Sequence, residues 1–137
     1  MRLFVDTSAL VALANSKDKH NVSAVEFREK LRSSSSRATL LIISNYVFDE
    51  TITLLRVRIG HAYAISFGKS LKDSELFRIH WLTPEVDELA WDIFVKYSDK
   101  DYSYTDCTSF ALMKAEGIDT VFGYDDHFRQ FGFQQVP

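Results

Sequence analysis

Residues 39–44, Thr-Leu-Leu-Ile-Ile-Ser, form an apolar run with a helical pattern on either side of it. The apolar residues of this run do not alternate with polar ones. A strand without alternation is typical of a parallel sheet, because helices cover both faces of such a sheet. We therefore predict a strand over residues 39–43, buried inside a layered α/β fold.

Helical stretches lie on both sides of this strand and continue to the end of the chain. They are marked by apolar residues at spacings of three and four and by residues that cap helix ends. In the second stretch we expect Val22, Val25, Phe27 and Leu31 to face the core. A loop is predicted at the four serines of residues 33–36, because serine competes with helical hydrogen bonds. The predicted helices are 9–15, 21–32, 45–59, 61–72, 84–97 and 105–116.

Short apolar runs between these helices complete the sheet. A strand that alternates with helices along the chain indicates parallel βαβ units. The sequence therefore predicts a three-layer α/β/α sandwich with a mainly parallel sheet of four or five strands, in a single domain over residues 1–137. The predicted strands are 3–6, 39–43, 77–82, 120–122 and a short one over 133–136.

The composition of the 137 residues is typical of a soluble globular protein, with 46% hydrophobic and 26% charged residues. No apolar run approaches the ~20 residues that a membrane span needs. The net charge is −3, so any role with nucleic acid has to rest on a local site. The single cysteine, Cys107, and the absence of a secretory signal pattern predict a cytoplasmic protein.

Four acidic residues are placed where ligands bind in parallel sheets, at the carboxyl ends of strands. Asp6 ends the first predicted strand, and Asp125 follows the fourth. Asp106 lies in the first turn of a helix and is expected to point inward. Glu50 lies on a partly apolar side of its helix. Each acid alone could be a cap, a helix-dipole partner, a turn residue or a solvated side chain.

The combination of these acids is harder to explain by structure alone. No lysine or arginine lies within three residues of Asp6, Asp106 or Asp125. Clustered carboxylates repel one another and are costly to keep ionised. A divalent cation such as Mg²⁺ or Mn²⁺ prefers oxygen ligands and removes that cost. The pattern therefore favours a metal site that acts on a phosphoryl group.

Other sites have weaker support. The chain has no phosphate-binding loop, and its histidines have no zinc spacing with Cys107, which we expect to pack in a helix. His127 adjoins the acid pair and could touch a substrate. Tyr102, Tyr104 and Tyr124 could stack on an unpaired base, although core packing is the expected role for most of the aromatic residues.

The acids stand in four segments whose order and spacing are specific. These segments are Phe4–Leu10, Ser44–Leu55, Tyr104–Ala111 and Val121–Phe128. Together they resemble the PIN-domain ribonuclease family, in its small VapC-type toxin form, over nearly the whole chain. The resemblance implies a Rossmann-like sheet and an endoribonuclease that depends on Mg²⁺ or Mn²⁺.

Carried over by position, the resemblance makes Asp6, Glu50, Asp106 and Asp125 both the catalytic and the metal-binding residues. Asp125 matches better than Asp126, because the family's acid stands three residues before a phenylalanine, here Phe128. The implied reaction is in-line attack by a metal-activated water that leaves a 5′-phosphate. The implied partners are an RNA substrate such as tRNA or rRNA, a second copy of the chain in a homodimer, and an antitoxin protein that blocks the site.

One position departs from the family pattern. Gly123 stands where the family has a threonine or serine, so we expect a supporting hydroxyl to be missing at that corner. Two alternatives stay open: a catalytically silent RNA-binding or interaction module on the same fold, and a nuclease that acts on DNA. A phosphatase is disfavoured because Ser8 replaces its second acid, and a receiver domain is disfavoured because no acid follows the third strand.

Overall fold

The centre of the molecule is a parallel sheet. The computed structural model describes residues 1–34 and 38–137. Within these residues the sheet has five strands, which are β1 (Arg2–Val5), β2 (Leu40–Ser44), β3 (Phe77–His80), β4 (Thr120–Phe122) and β5 (Gln134–Val136). Their order is β3-β2-β1-β4-β5, and every neighbouring pair is parallel. The predicted α/β sheet is therefore confirmed, with five strands.

Helices connect the strands. Seven are present in the described part of the chain: α1 (Thr7–Ala14), α2 (Asn21–Ser33), α3 (Asn45–Arg58), α4 (His61–Asp73), α5 (Pro84–Lys96), α6 (Tyr104–Glu116) and α7 (His127–Phe131). The chain runs from β1 to β3 in one direction across the sheet and then crosses to β4 on the other side of β1. Right-handed crossovers place the two sets of connecting helices on opposite faces. The result is the predicted three-layer sandwich.

The strand over residues 40–44 has the expected environment. Leu41, Ile42 and Ile43 are buried, as a strand covered by helices on both faces requires. The prediction for α2 was only partly right: Phe27 and Leu31 pack against the core, whereas Val22 is 69% exposed. The predicted serine loop lies partly outside the described residues, at residues 35–36.

Two features of the fold position the candidate site. The strand order reverses at β1, so a crevice opens between the carboxyl ends of β1 and β4, and such a crevice is where ligands bind in open α/β sheets. Helix α7, which was not predicted, follows β4 and closes one side. No helix in the described ranges is long and apolar enough to cross a membrane.

Candidate active site

A cleft of about 390 Å³ opens at the carboxyl ends of the central strands. Its lining includes all four acids that the sequence singled out, Asp6, Glu50, Asp106 and Asp125. They come from four different elements of the chain: the end of β1, the middle of α3, the first turn of α6 and the loop after β4. The fold therefore brings together side chains that are up to 119 residues apart, as the difference between positions 6 and 125 gives.

Asp6 is the most deeply buried of the four acids, with 5% of its surface exposed. It caps helix α1, and its Oδ2 accepts hydrogen bonds from the Ser8 hydroxyl at 2.7 Å and the Ser8 N–H at 3.3 Å. Burial, together with the negative charges of Asp106 and Asp125, raises the pKa of Asp6 to about 7, against the opposing effect of the Ser8 bonds. A carboxylate at this place needs a positive charge nearby at neutral pH.

Asp106 is held by two donors. Helix α6 begins with a capping box, in which the Ser103 hydroxyl accepts from the Asp106 N–H at 3.0 Å and Asp106 Oδ2 accepts from the Ser103 N–H at 3.1 Å. The same Oδ2 lies 2.8 Å from His127 Nδ1. Burial raises the pKa of Asp106, and the hydrogen bond from His127 opposes that rise.

Asp125 and His127 complete a tight group with Asp106. The Asp125 Oδ1 accepts from the His127 N–H at 3.0 Å and lies 3.3 Å from His127 Nδ1. Burial disfavours the charged form of His127, but the bond to Asp106 and the negative charge of Asp125 outweigh it, so the pKa of the imidazole is raised. Asp126 is exposed and pairs with Arg129 at 3.4 Å instead. The structure thus places Asp125, and not its neighbour, in the cleft.

Glu50 lines the cleft from helix α3. That helix is anchored by Ser44, whose buried hydroxyl accepts from the Val47 N–H at 3.0 Å. Glu50, Leu54 and Arg58 stand four residues apart and share one face of α3, which borders the cleft. Within the described residues, the ligand atoms of Asp106, Asp125 and His127 lie within 4.8 Å of one another, and neither Glu50 nor Asp6 joins that group.

Comparison with known proteins gives the family. The family model of the PIN domain matches residues 3–134. This chain belongs to the PIN-domain family. It is 34% identical over 134 residues to the 23S rRNA-specific endonuclease VapC20 of Mycobacterium tuberculosis, which covers 98% of this chain and 97% of that protein. It is 25% identical over 129 residues to the VapC ribonuclease of Archaeoglobus fulgidus, with 93% and 80% covered.

Solved structures agree with this membership. The crystal structure of Mycobacterium tuberculosis VapC20, described as a toxin that cleaves the sarcin–ricin loop, has a TM-score of 0.85 at 33% identity and covers 96% of this chain and 95% of that one. VapBC2 from Rickettsia felis, solved with a DNA fragment from its promoter, has a TM-score of 0.73 at 14% identity, with 98% and 97% covered. The second likeness concerns the fold alone.

The residues of this PIN domain fit a divalent cation. Carboxylate oxygens and one imidazole nitrogen face the same space, and oxygen ligands of this kind suit Mg²⁺ or Mn²⁺. Six acids line the cleft, and Arg58 is the single lysine or arginine among its described lining residues. Burial, and to a smaller extent the neighbouring carboxylates, raises the pKa of Asp6 and of Asp106, and a bound cation would favour their charged forms. The acids that line the cleft are Asp6, Asp18, Glu50, Asp101, Asp106 and Asp125.

Gly123 lies close to Asp6 and to the Ser8 hydroxyl. That hydroxyl donates to Asp6 and accepts from the Tyr124 N–H at 2.9 Å. A Cβ atom at Gly123 would lie 3.0 Å from the Cβ of Asp6. Because position 123 has no side chain, the backbone there can pass close to Asp6.

The three tyrosines near the acids differ in their surroundings. Tyr102 is buried, and the Tyr104 hydroxyl donates to Asp87 Oδ1 at 2.7 Å, away from the cleft. Tyr124 stacks on the imidazole of His20, which lines the cleft. Cys107 is buried in α6, as expected for a packing residue, and burial raises the pKa of its thiol to about 11.

His127 and His20 both line the cleft. From the sequence, His127 was expected only as a residue that could touch a substrate, and His20 was not singled out. A signal for His127 was present, because an aspartate commonly accepts a hydrogen bond from the N–H two residues later, which fixes the backbone of both residues. Asp125 and His127 have this spacing and this bond. Nothing in the sequence marked His20, whose partner Tyr124 is 104 positions away.

Proposed function

We propose that this protein is a metal-dependent endoribonuclease that hydrolyses RNA phosphodiester bonds, and that it is the toxin of a toxin–antitoxin pair. The observation that carries the proposal is the convergence of Asp6, Glu50, Asp106 and Asp125 on one cleft at the switch point of the sheet. Membership of the PIN-domain family and the VapC names of the two relatives support it.

The proposed roles follow from the contacts of each residue. Asp6 and Asp106 would anchor Mg²⁺ or Mn²⁺, with Glu50 and Asp125 as ligands directly or through water. When bound, such a metal stabilises charge on the phosphoryl group and lowers the pKa of water. Ser8 fixes Asp6, and the Ser103 N–H and His127 fix Oδ2 of Asp106, which leaves Oδ1 of Asp106 for the cleft.

The rim of the cleft offers a contact for the RNA backbone. Arg58 lies at the carboxyl end of α3 and lines the same cleft as the acids. An arginine at this place suits a phosphate next to the scissile one, because its planar guanidinium binds phosphate in a bidentate manner. The overall charge of −3 gives no general attraction, so recognition has to come from such local contacts.

The first substrate to test follows from the activity named for one of the reported relatives. VapC20 is named as specific for 23S rRNA, and its structure is described as that of a toxin that cleaves the sarcin–ricin loop. We extend this to the present chain as a proposal: its substrate is a structured RNA, with the sarcin–ricin loop of 23S rRNA before tRNA.

Two protein partners belong to the same proposal. Helix α5 exposes the large apolar side chains of Leu89, Trp91, Phe94 and Val95, which supports a homodimer. An antitoxin that covers the cleft is proposed from the resemblance to VapC-type toxins and from the description of the VapC20 structure as that of a toxin. Its test is whether the product of a neighbouring small gene binds this protein and stops RNA cleavage.

The decisive experiment is cleavage of a labelled sarcin–ricin stem-loop and of tRNA by the wild type and Asp6→Asn, each with Mg²⁺, with Mn²⁺ and with EDTA. Asp126→Asn is the matched control, because Asp126 is an aspartate beside the site whose side chain is exposed and pairs with Arg129. We expect cleavage by the wild type and Asp126→Asn in metal, and none by Asp6→Asn or in EDTA.

Other outcomes would change the proposal in defined ways. Cleavage of single-stranded DNA but of no RNA would make the protein a DNA-directed nuclease. Binding of RNA without cleavage in any metal would favour a silent binding module on the same fold. Cleavage that survives Asp6→Asn would contradict the assignment of the acids.

A further inference from the structure

The cleft has an aromatic wall that the four acids do not explain. The imidazole of His20 lines it, and the ring of Tyr124 lies behind that imidazole, with ring centroids 4.1 Å apart and an interplanar angle of 5°. The two rings are therefore stacked in parallel. Tyr124 covers one face of His20 and does not line the cleft itself, so His20 is the ring that a ligand in the cleft would meet.

Tyr124 is fixed from three directions. Its hydroxyl is 2.9 Å from the Ser23 hydroxyl, and its N–H donates to the Ser8 hydroxyl at 2.9 Å. Its ring meets Phe122 edge to face, at 75° and 6.4 Å between centroids. Because Ser8 also binds Asp6, the same hydroxyl connects the support of the aromatic wall to the acid cluster.

The backbone of His20 is equally constrained. Its N–H donates to Asp18 Oδ1 at 2.8 Å, and its carbonyl oxygen accepts from the Ala24 N–H at 2.9 Å at the start of α2. Asp18 in turn is part of a turn between Asn15 and Asn21. No hydrogen bond among the described residues involves the ring nitrogens of His20. The imidazole is thus placed by stacking and by its backbone, with its polar atoms unused.

We propose that His20, supported by Tyr124, is a stacking platform for an unpaired base of the RNA substrate. This inference rests on the proposed ribonuclease function and deepens it. A flat ring that lines the cleft and has one face covered by Tyr124 can offer its other face to a heteroaromatic base. A purine presents the larger face and is the base we expect to be preferred.

Base stacking suits the negative charge of this cleft better than contacts with the phosphate backbone do. The cleft carries six acids, so the phosphate backbone gains little from the floor of the site. Base stacking is insensitive to this negative charge and tolerates any sequence, because every base has a π face. Exposed Lys17 and Lys19, on either side of Asp18, provide positive charge next to the platform. A base held at His20 would then orient the neighbouring phosphodiester toward the acids.

The platform is tested by binding of a fluorescently labelled RNA stem-loop with unpaired adenines in its loop, measured by anisotropy with Ca²⁺ in place of Mg²⁺. The proteins are the wild type, His20→Ala, His20→Phe and His61→Ala. His61 is the matched control, because it is an exposed histidine at the start of α4 that does not line the cleft. Thermal unfolding of each variant checks that it is folded.

We expect His20→Ala to weaken binding about tenfold, and His20→Phe to stay within about threefold of the wild type, because phenylalanine also stacks. His61→Ala should bind like the wild type. The wild type should bind a loop with abasic sites about tenfold more weakly than it binds the adenine loop. His20→Ala should bind the abasic loop no more weakly than the adenine loop. This last result identifies the base as the partner of the ring.

Three results would overturn the platform. The first is His20→Ala binding the adenine loop as tightly as the folded wild type. The second is His20→Phe failing as badly as His20→Ala, which would mean that a ring nitrogen and not the ring face makes the contact. The third is equal binding of adenine and abasic loops by the wild type. If any of these occurs while the wild type still cleaves RNA, the proposed ribonuclease function stands. A wild type that neither binds nor cleaves RNA removes both.

Discussion

The charged form of Asp6 is electrostatically unfavourable in the folded protein. Its carboxyl is buried beside two other acids, and burial is the main reason that its pKa is about 7. In an unfolded chain the same group has a pKa near 3.8. Between these two values the folded protein holds a proton that the unfolded chain has released. The contribution of Asp6 to the free energy of unfolding therefore falls as the pH rises from about 4 to about 7.

We predict that Asp6→Asn stabilises the metal-free protein more at pH 8 than at pH 5, and that the effect disappears below about pH 4. Above pH 7 the wild type carries the full cost of the buried charge, up to about 4 kcal/mol, whereas asparagine is neutral and can still accept from Ser8. Urea unfolding in EDTA at pH 5 and pH 8 measures the difference. An equal effect at both pH values would contradict the buried charge, and Asp126→Asn should change neither.

Gly123 is a second residue whose role is set by one short distance. Alanine at this position would bring a Cβ to 3.0 Å from the Cβ of Asp6, and neither atom can move without its backbone. We predict that Gly123→Ala lowers the free energy of unfolding by about 1–3 kcal/mol and weakens Mn²⁺ binding, because Asp6 is displaced. Urea unfolding and calorimetric titration with Mn²⁺ are the measurements.

Gly68 provides the matched control for this substitution. A Cβ there would also meet a neighbour at 3.0 Å, but that neighbour is Cδ1 of Ile52, the flexible end of a side chain. Alanine is also the better helix former in α4. We expect Gly68→Ala to be neutral or stabilising and to leave Mn²⁺ binding unchanged. Equal losses in the two variants would refute the special position of Gly123.

At the scale of elements, the start of helix α6 affects both the stability of the helix and the position of Asp106. The capping box joins helix formation and the orientation of Asp106 in one pair of hydrogen bonds. Helix α5 begins with a simpler cap, in which the Thr83 hydroxyl accepts from the Val86 N–H at 3.3 Å, and this cap carries no acid of the cleft. A comparison of the two helices therefore separates the effect of a cap on the stability of the protein from its effect on the site.

We predict that Ser103→Ala and Thr83→Ala each lower the free energy of unfolding by about 1 kcal/mol, the usual cost of a lost cap. Only Ser103→Ala should also weaken Mn²⁺ binding and slow RNA cleavage, because Asp106 loses the anchor of its first turn. Chemical unfolding, Mn²⁺ titration and a cleavage time course on both variants make the comparison. A similar loss of metal affinity in Thr83→Ala would mean that general stability, and not the cap, controls the site.

Some secondary-structure elements could be predicted from the sequence, and others could not. The strands and the helices α3 to α6 were predictable because their apolar spacing and caps are local, as Ser44 and Thr83 show. Helix α7 was not predictable, since its five residues follow two aspartates that equally suit a turn. The exposure of Val22 was also missed, because spacing alone does not say how much of a helix face the neighbouring helices cover.

The candidate site divides in the same way. The order of strands and helices was enough to predict that the four acids lie at one edge of the sheet, because Asp6 and Asp125 follow parallel strands that end at a common edge and Glu50 and Asp106 lie on helices beside it. The His127 bond to Asp106 and the stacking of His20 on Tyr124 depend on side-chain directions across 21 and 104 positions, which no local pattern encodes. Pairs of this kind become visible only when the chain is folded.

At the scale of the whole molecule, metal binding and folding are linked. A cation that binds the folded cleft and not the unfolded chain adds about 2.7 kcal/mol of stability at one hundred times its Kd. We predict that Mn²⁺ raises the melting temperature of the wild type and of Asp126→Asn, and that it has little effect on Asp106→Asn. Differential scanning fluorimetry across a Mn²⁺ series measures this, and a shift of equal size in Asp106→Asn would place the metal elsewhere.

The distribution of apolar surface supports the homodimer proposed above. Several large exposed apolar residues of the described structure lie on α5, where Trp91 is 51% exposed and stacks on Phe94 with ring centroids 6.1 Å apart. An apolar surface of this kind is unusual on a monomer and marks an interface. Both rings also contact Tyr104, the first residue of α6, so a partner seated on this face would brace the helix that carries Asp106.

We predict that the wild type is a dimer in solution and that Trp91→Glu is a folded monomer, because a charge in the centre of an apolar interface is left unpaired and desolvated. Val22→Glu is the matched control, since Val22 is 69% exposed on α2 and should leave the dimer intact. Light scattering after size exclusion gives the mass, and circular dichroism reports the fold. A monomeric wild type, or a Trp91→Glu variant that remains a dimer, would assign this apolar face to a different partner, of which the proposed antitoxin is the first to test.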